Sequence, residues 1–252
     1  MPAIPVALQL YSVREDCKRD LAGTLKAVKE MGYDGVEIYA AQYEIPAREL
    51  RRLADDHGLK VIGSHTPLRA VQEDELERTI EYNQTIGNDR IIVPSLPQER
   101  RASRQAWIET AAFFNELAER LKARGLRTGY HNHSVEFQPL EGELPWDTFA
   151  SHTRTDVILQ LDIGNAARGT GVDPVPFIGK YPGRSVTVHL KEYSATNDKA
   201  LIGEGDIRWD EVFRLCESVG GTEWYIVEQE TYAYPPLETV RRCRENLRRM
   251  GR

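Results

Sequence analysis

The feature that most limits how this chain can fold is a repeated alternation. Short runs rich in β-branched and aromatic residues recur eight times, each followed by a helical pattern or a short helical turn. The strand-like runs are residues 6–12 (VALQLYS), 35–40 (GVEIYA), 60–65 (KVIGSH), 90–95 (RIIVPS), 127–133 (RTGYHNH), 157–164 (VILQLDIG), 185–191 (SVTVHLK) and 224–230 (WYIVEQE). The clearest helical stretches are 20–32, where Asp20 can cap the start and Gly32 close the end, 46–58 with Pro46 in the first turn, 73–87, 103–125 and 237–250. Strands separated by helices pair in parallel. Eight such units in 252 residues favour closure into a barrel over an open sheet. The expected fold class is therefore α/β, a single (β/α)8 TIM barrel covering residues 1–252 as one domain. Residues 139–147 (PLEGELPWD) and 170–177 (TGVDPVPF) read as loop-like inserts at its mouth.

A parallel barrel also fixes where chemistry belongs, because all strand C-termini open onto one mouth. Ligand-type residues gather at those ends: Glu37, His65, His131 and His133, Asp162, His189, Glu228 and Glu230. Side chains two apart on a strand share a face, so these groups converge on one concave site. His131, Asp162, His189 and Glu228 come from four successive strands, each embedded in apolar sequence where an unpaired charge is costly. The bland reading is a buried hydrogen-bond network. Four convergent ligand types favour one divalent metal, with mixed nitrogen and oxygen donors suiting Mn, Zn, Co or Fe better than Ca.

Bulk properties narrow the partners. A net charge of −6 and a pI near 5.6 disfavour a nucleic-acid backbone as partner. Cys17, Cys216 and Cys243 are odd in number and show no CxxC spacing, which fits a reducing compartment. The N-terminal residues lack a signal-like apolar region, and no run of about 18 apolar residues suggests a membrane span. The expectation is a cytoplasmic protein that acts on a small molecule, with homo-oligomerisation open. The six arginines of RRCRENLRRMGR read as a solvated helix end, and Trp107, Phe113 and Phe114 as helix packing or a protomer interface.

The motifs LQLYSVRE, GYDGVEIYA, SHTPL, GYHNHSVEF, LQLDIGNAARG, VHLKEY and GEGDIRW occur in an order that resembles the sugar phosphate isomerase/epimerase family of the xylose-isomerase-like TIM-barrel superfamily. The resemblance covers essentially the whole chain, and GYHNHSVEF with LDIGN is its most specific pair. Relatives include ketose epimerases, hydroxypyruvate isomerases, inosose dehydratases and nucleases of abasic DNA. The resemblance implies one divalent metal held by Glu, Asp, His and Glu from strands 5 to 8. Asp162, His189 and Glu228 match the last three positions, whereas the first is His131 instead of glutamate. Family epimerases use the two glutamates as paired acid and base, so that mechanism does not transfer unchanged. The histidine-rich end of strand 5 is closer to the inosose dehydratases.

Around this set, His133 is read either as a fifth ligand or acid/base, or as a group that orients its neighbours. Glu136 is either a replacement base or a solvated loop acid. Lys191 either stabilises an oxyanion or balances Glu228 and Glu230. Glu228 serves as ligand and as candidate base. Glu37 and His65 are expected to contact substrate, with Gln9 and Tyr11 as further candidates. GEGDIRW forms either a lid or anion nest, or a plain turn before a helix at Trp209. The reading placed first is a metal-dependent isomerase or epimerase of a small sugar or keto-sugar, working through an enediolate. Its alternative is a lyase that expels a β-oxygen from a keto-inositol or 3-keto glycoside. A non-catalytic carbohydrate-binding barrel is the rival of another class. Abasic-DNA cleavage is disfavoured by only six histidines and the acidic pI.

Overall fold

A computed structural model describes residues 3–170 and 173–252. Eight strands form a closed, all-parallel barrel in sequential order. They are β1 (Val6–Gln9), β2 (Gly35–Ile38), β3 (Lys60–His65), β4 (Arg90–Val93), β5 (Arg127–His131), β6 (Ile158–Asp162), β7 (Thr187–Leu190) and β8 (Trp224–Val227). Strand alternation splits the apolar residues into two bodies. Outward side chains such as Leu8, Val36, Tyr130, Leu161, Val188 and Val227 join the helices in one large core. A small plug of Ala7, Ile62, Trp224 and Ile226 fills the bottom of the barrel. Above that plug the inward positions turn polar, with Gln9, Glu37, Gln160, Thr187 and His189 all fully buried.

The local signals behave as their chemistry requires. Asp20 caps the Leu21–Glu30 helix by accepting from the backbone N–H of Gly23 at 2.9 Å. Ser103 does the same for Arg104–Lys122, accepting from Ala106 at 3.1 Å. Gly32 leaves its helix at φ +84°, a conformation that favours glycine. Pro46 sits one residue before its helix, at the cap of Ala47–Asp56.

The strands are shorter than their sequence patterns. Tyr11 and Ser12 lie in a 3-10 turn, Leu10–Val13, and His133 falls two residues beyond β5. Glu228 and Glu230 follow β8. After Asp162 no loop intervenes, and the chain passes directly into the helix Ile163–Thr170. The 139–147 insert is a turn closed by a Leu140–Glu143 bridge, leading into the helix Pro145–His152. Of the second insert, Gly171 and Val172 lie outside the described residues, and Pro176–Lys180 is helical. Cys17, Cys216 and Cys243 are free and buried. Trp107 and Phe114 are core residues, and Phe113 is half-buried against the same core. Among the described residues no helix is long and apolar enough to cross a membrane.

Candidate metal centre at the barrel mouth

His131, Asp162, His189 and Glu228 meet at the top of the barrel. Each offers a ligand atom, and these atoms lie within 4.8 Å of one another. The barrel closes this constellation through register: Asp162 pairs with His189, and His131 with Gln160, two residues before Asp162. His131 Nε2 is 3.9 Å from Asp162 Oδ2. His189 Nδ1 is 2.7 Å from Glu228 Oε2.

The electrostatics fit a cation. Asp162, Glu228 and Glu37 are all buried acids. Asp162 Oδ1 accepts from the backbone N–H of Asn165 at 2.7 Å. Its Oδ2 is fully buried and has no hydrogen-bond partner, with Lys191 Nζ 3.5 Å away. An orphaned buried carboxylate oxygen is costly, and a metal ion would satisfy it. Burial raises the Asp162 pKa in spite of Lys191, with Glu228 adding to the rise. Burial works the same way on Glu228, but Lys191 and the hydrogen-bonded His189 outweigh it and hold that carboxyl well below its usual range. Burial and the neighbouring rings of His189 and His65 push His131 well below the usual imidazole range, which keeps it neutral as a ligand must be. Burial also opposes a charge on His189, yet Glu37 and Glu228 flank both its nitrogens and lift it to about 10. A divalent ion at Nδ1 would replace one of those protons while Nε2–H keeps its bond to Glu37. That is the usual arrangement of a carboxylate behind a metal-binding histidine.

This geometry corrects two expected substrate contacts. Glu37 is completely buried, and its oxygens are taken by Gln9 Nε2 at 2.7 Å, Gln160 Nε2 at 2.8 Å, His189 Nε2 at 2.7 Å and His65 Nε2 at 3.2 Å. It is the floor of the site and is not available to a substrate. Gln9 is likewise buried, bridging Glu37 and the backbone N–H of Tyr11. His65 and Tyr11 do line the mouth, with Tyr39, Pro67, Pro94 and Ser95 beside them, around a cavity of about 330 Å³ that reaches His131, His133, Glu228 and Glu230. Tyr11 packs edge-on against Tyr39 with ring centroids 5.2 Å apart.

Glu136 is corrected as well. It is neither a mouth base nor a solvated acid: it is buried behind β5, where it accepts from Tyr130 OH at 2.6 Å and from the backbone N–H of His133 at 2.7 Å. The hydrogen bond it accepts from the His133 backbone N–H holds the loop that carries that residue. His133 itself is exposed at the rim, its ring 5.3 Å from that of His131. Lys191 is buried, hydrogen-bonded to Glu230 and 3.8 Å from Glu228 Oε2. Burial disfavours its charge, but Asp162, Glu228 and Glu230 together keep it firmly protonated.

The GEGDIRW segment is no lid. It wraps the buried Glu192 carboxylate, which accepts from Gly203 N and Trp209 Nε1, each at 2.7 Å. The nest has an anion, and that anion belongs to the chain. A Cβ on Gly205 would lie 2.3 Å from the Tyr193 carbonyl oxygen, so only glycine fits there. Sequence reasoning missed both Glu192 and the buried amide of Gln160. The only signal for either was its place two or three residues from a ligand candidate.

Comparison with known proteins agrees with the fold. The chain is 27% identical over 217 residues to a 3-dehydroshikimate dehydratase of Pseudomonas aeruginosa, covering 80% of this chain and 33% of that protein. It is 26% identical over 175 residues to an inosose dehydratase of Erwinia tasmaniensis, covering 61% of this chain and 58% of that one. The chain thus spans a third and somewhat over half of these two relatives. Among solved structures, a sugar phosphate isomerase/epimerase from Parabacteroides distasonis superposes with a TM-score of 0.82 at 24% identity, over 98% of this chain and 94% of the other. The profile of the xylose isomerase-like TIM barrel family matches residues 25–250, and the chain belongs to that family.

Proposed function

We propose that this chain is a divalent-metal-dependent enzyme that removes a proton beside the carbonyl of a small polyhydroxylated ketone and then expels a β-oxygen. The observation that carries the metal half is the convergence of His131, Asp162, His189 and Glu228 around the orphaned Oδ2 of Asp162. When bound there, a divalent ion supplies Lewis acidity to a carbonyl and its neighbouring hydroxyl. The remaining steps belong to the chain. Glu228 Oε2 lies beside His189 Nδ1 on the side where the ion would be held, and its Oε1, with no hydrogen bond among the described residues, is the group assigned to take the carbon-bound proton. Lys191 lies within reach of both acids and meets the negative charge that develops on the ketone oxygen. The C–O bond at the β-carbon then breaks as the C=C bond forms. The leaving oxygen takes its proton from His133 at the rim, and water or an alcohol departs.

The sequence reading put isomerisation or epimerisation first. The disposition of acids turns the preference to elimination. Epimerisation by two carboxylates needs one on each face of the substrate. Among the described residues lining the mouth, both acids, Glu228 and Glu230, follow β8. The β5 side offers His131 and His133, and Glu136 is turned behind the strand. The names of the dehydratases of Pseudomonas aeruginosa and Erwinia tasmaniensis described above support the same preference.

The test is a panel of ketoses, 3-keto glycosides and inososes incubated with metal-loaded protein in D₂O and followed by NMR. Loss of water or of the glycosidic alcohol, with formation of a conjugated enone, supports elimination. A deuterated isomer or epimer with every oxygen retained replaces it with the isomerase reading. Hydrolysis that needs no α-proton defeats both. Elemental analysis separates the carbohydrate-binding alternative, because a purely binding barrel needs no stoichiometric metal.

A further inference from the structure

We infer that Gln160 is a positioning residue: its side-chain amide fixes which ring nitrogen carries the proton in His65 and His131, and leaves Nε2 of His131 bare for a ligand. The first part stands on hydrogen-bond geometry alone. Only the last clause rests on the metal reading above.

The argument is a chain of donors and acceptors whose direction is set at one end by a carboxylate. The backbone N–H of Tyr11 donates to Gln9 Oε1 at 3.1 Å, so the amide nitrogen of Gln9 is the atom 2.7 Å from Glu37 Oε2. Glu37 Oε1 faces the side-chain amide of Gln160 at 2.8 Å. Ionised carboxylate oxygens only accept, so the Gln160 nitrogen must point there. Were the amide reversed, two acceptors would face each other at 2.8 Å without a proton. The second N–H of the same nitrogen goes to Thr187 Oγ1 at 2.9 Å.

That leaves Gln160 Oε1 on the opposite side. Two ring nitrogens approach it, His65 Nε2 at 2.8 Å and His131 Nδ1 at 3.1 Å. A carbonyl oxygen cannot donate, so both nitrogens must. His65 is therefore the Nε2–H form, and His131 the Nδ1–H form. With its proton on Nδ1, neutral His131 carries its lone pair on Nε2, the nitrogen that faces Asp162 Oδ2. Gln160 itself is fully buried, and all four of its hydrogen-bonding capacities are used. An apolar side chain of similar length would fill the same space. What the amide adds is polarity in a fixed direction, transmitted across the barrel from β2 through β6 to β3 and β5.

The test begins with wild-type protein stripped by chelator and labelled with ¹⁵N-histidine. Long-range ¹H–¹⁵N correlations report which nitrogen is protonated in each ring, with resonances assigned from His65→Asn and His131→Asn. The expected result is Nε2–H for His65 and Nδ1–H for His131. Nε2–H at His131 overturns the inference without any Gln160 variant, so poor folding of a mutant cannot leave it undecided. In Gln160→Met the Nε2–H form of His131 should appear. Zn²⁺ affinity, measured against a competing chelator dye, should fall roughly ten- to hundredfold. Gln160→Glu should restore both readouts. Its acid form, favoured beside Glu37, donates through O–H to Glu37 and accepts both imidazole protons at its carbonyl oxygen. An unchanged His131 tautomer in Gln160→Met overturns the inference. A changed tautomer with unchanged Zn²⁺ affinity overturns its link to the ligand. If wild type shows the expected tautomers yet takes up no Zn²⁺, Mn²⁺ or Co²⁺, the tautomer assignment stands and the proposed metal-dependent function falls.

Discussion

Asp162 spends one oxygen on the backbone of Asn165 and leaves the other buried without a hydrogen bond, 3.5 Å from Lys191 Nζ. Asp162→Asn keeps the size but puts an amide where a charge is needed. Elemental analysis should show metal content at least tenfold lower. Stoichiometric metal in that variant would sink the assigned centre. The two histidines of HNH should separate in the same assay. His131 is buried and His133 exposed, so His131→Ala should lose metal, whereas His133→Ala should keep it and lose turnover. The reverse pattern would mean that the wrong histidine has been placed at the centre. These ligand candidates were legible in the sequence because their side-chain types and strand-end positions are both readable from pattern. Glu37, Gln9, Glu136 and Gln160 were misread or missed because their roles depend on what lies across the barrel. Gln160 meets its partners 29, 95 and 123 residues away, and strand periodicity carries no information about that.

At the scale of elements, the β2–β3 pair shows how local irregularity makes room for the site. Its register shifts between Val36 and Glu37, so that Glu37 faces Gly63. A Cβ at position 63 would lie 2.6 Å from Glu37 Oε1. Gly63→Ala should therefore displace the Glu37 carboxylate, destabilise the protein by about 1–3 kcal/mol and weaken metal binding together with it. A denaturation midpoint equal to wild type would show that the carboxylate can move freely. Strand centres were readable from β-branched runs, but strand ends were not, since they are set by where the neighbouring strand stops offering bonds. The helices Pro145–His152 and Ile163–Thr170 were unreadable for a related reason. Gly164 and Gly169 depress helical propensity in the second. Yet a Cβ at 164 would lie 2.7 Å from the Lys191 carbonyl and one at 169 would lie 2.5 Å from Phe137 Cβ, so close packing demands what local propensity discourages.

For the whole molecule, the two barrel ends answer to different conditions. At the closed end, Glu223 pairs with Arg90 and Arg127, and Asp89 pairs with both arginines. Hydrogen bonds from Arg127, aided by Arg90, hold Glu223 down at about 2 against the opposing effect of burial. Because the folded value lies below the ordinary one, this stabilisation is complete above about pH 4.5 and is lost as pH falls towards 2. Half-exposed pairs are weak, so Glu223→Gln should cost about 1 kcal/mol at pH 7, or roughly 2–4 °C in melting temperature, with the difference from wild type vanishing near pH 2. An unchanged difference at pH 2 would mean that ionisation is not its source. At the open end the mouth is divided by the elements that supply its parts. The walls supplied after β1 to β4 are Tyr11, Tyr39, Pro67, Pro94 and Ser95, with His65 at the end of β3 the residue of that half whose ring reaches the histidines of the centre. On the other side Asp162 is followed at once by a helix, so no spare residue separates it from the scaffold. Such an arrangement partitions tolerance to mutation. One half of the rim can drift to new substrates while the other is bound to its chemistry, and a lineage built on this chain would diversify in what it grips far sooner than in what it does.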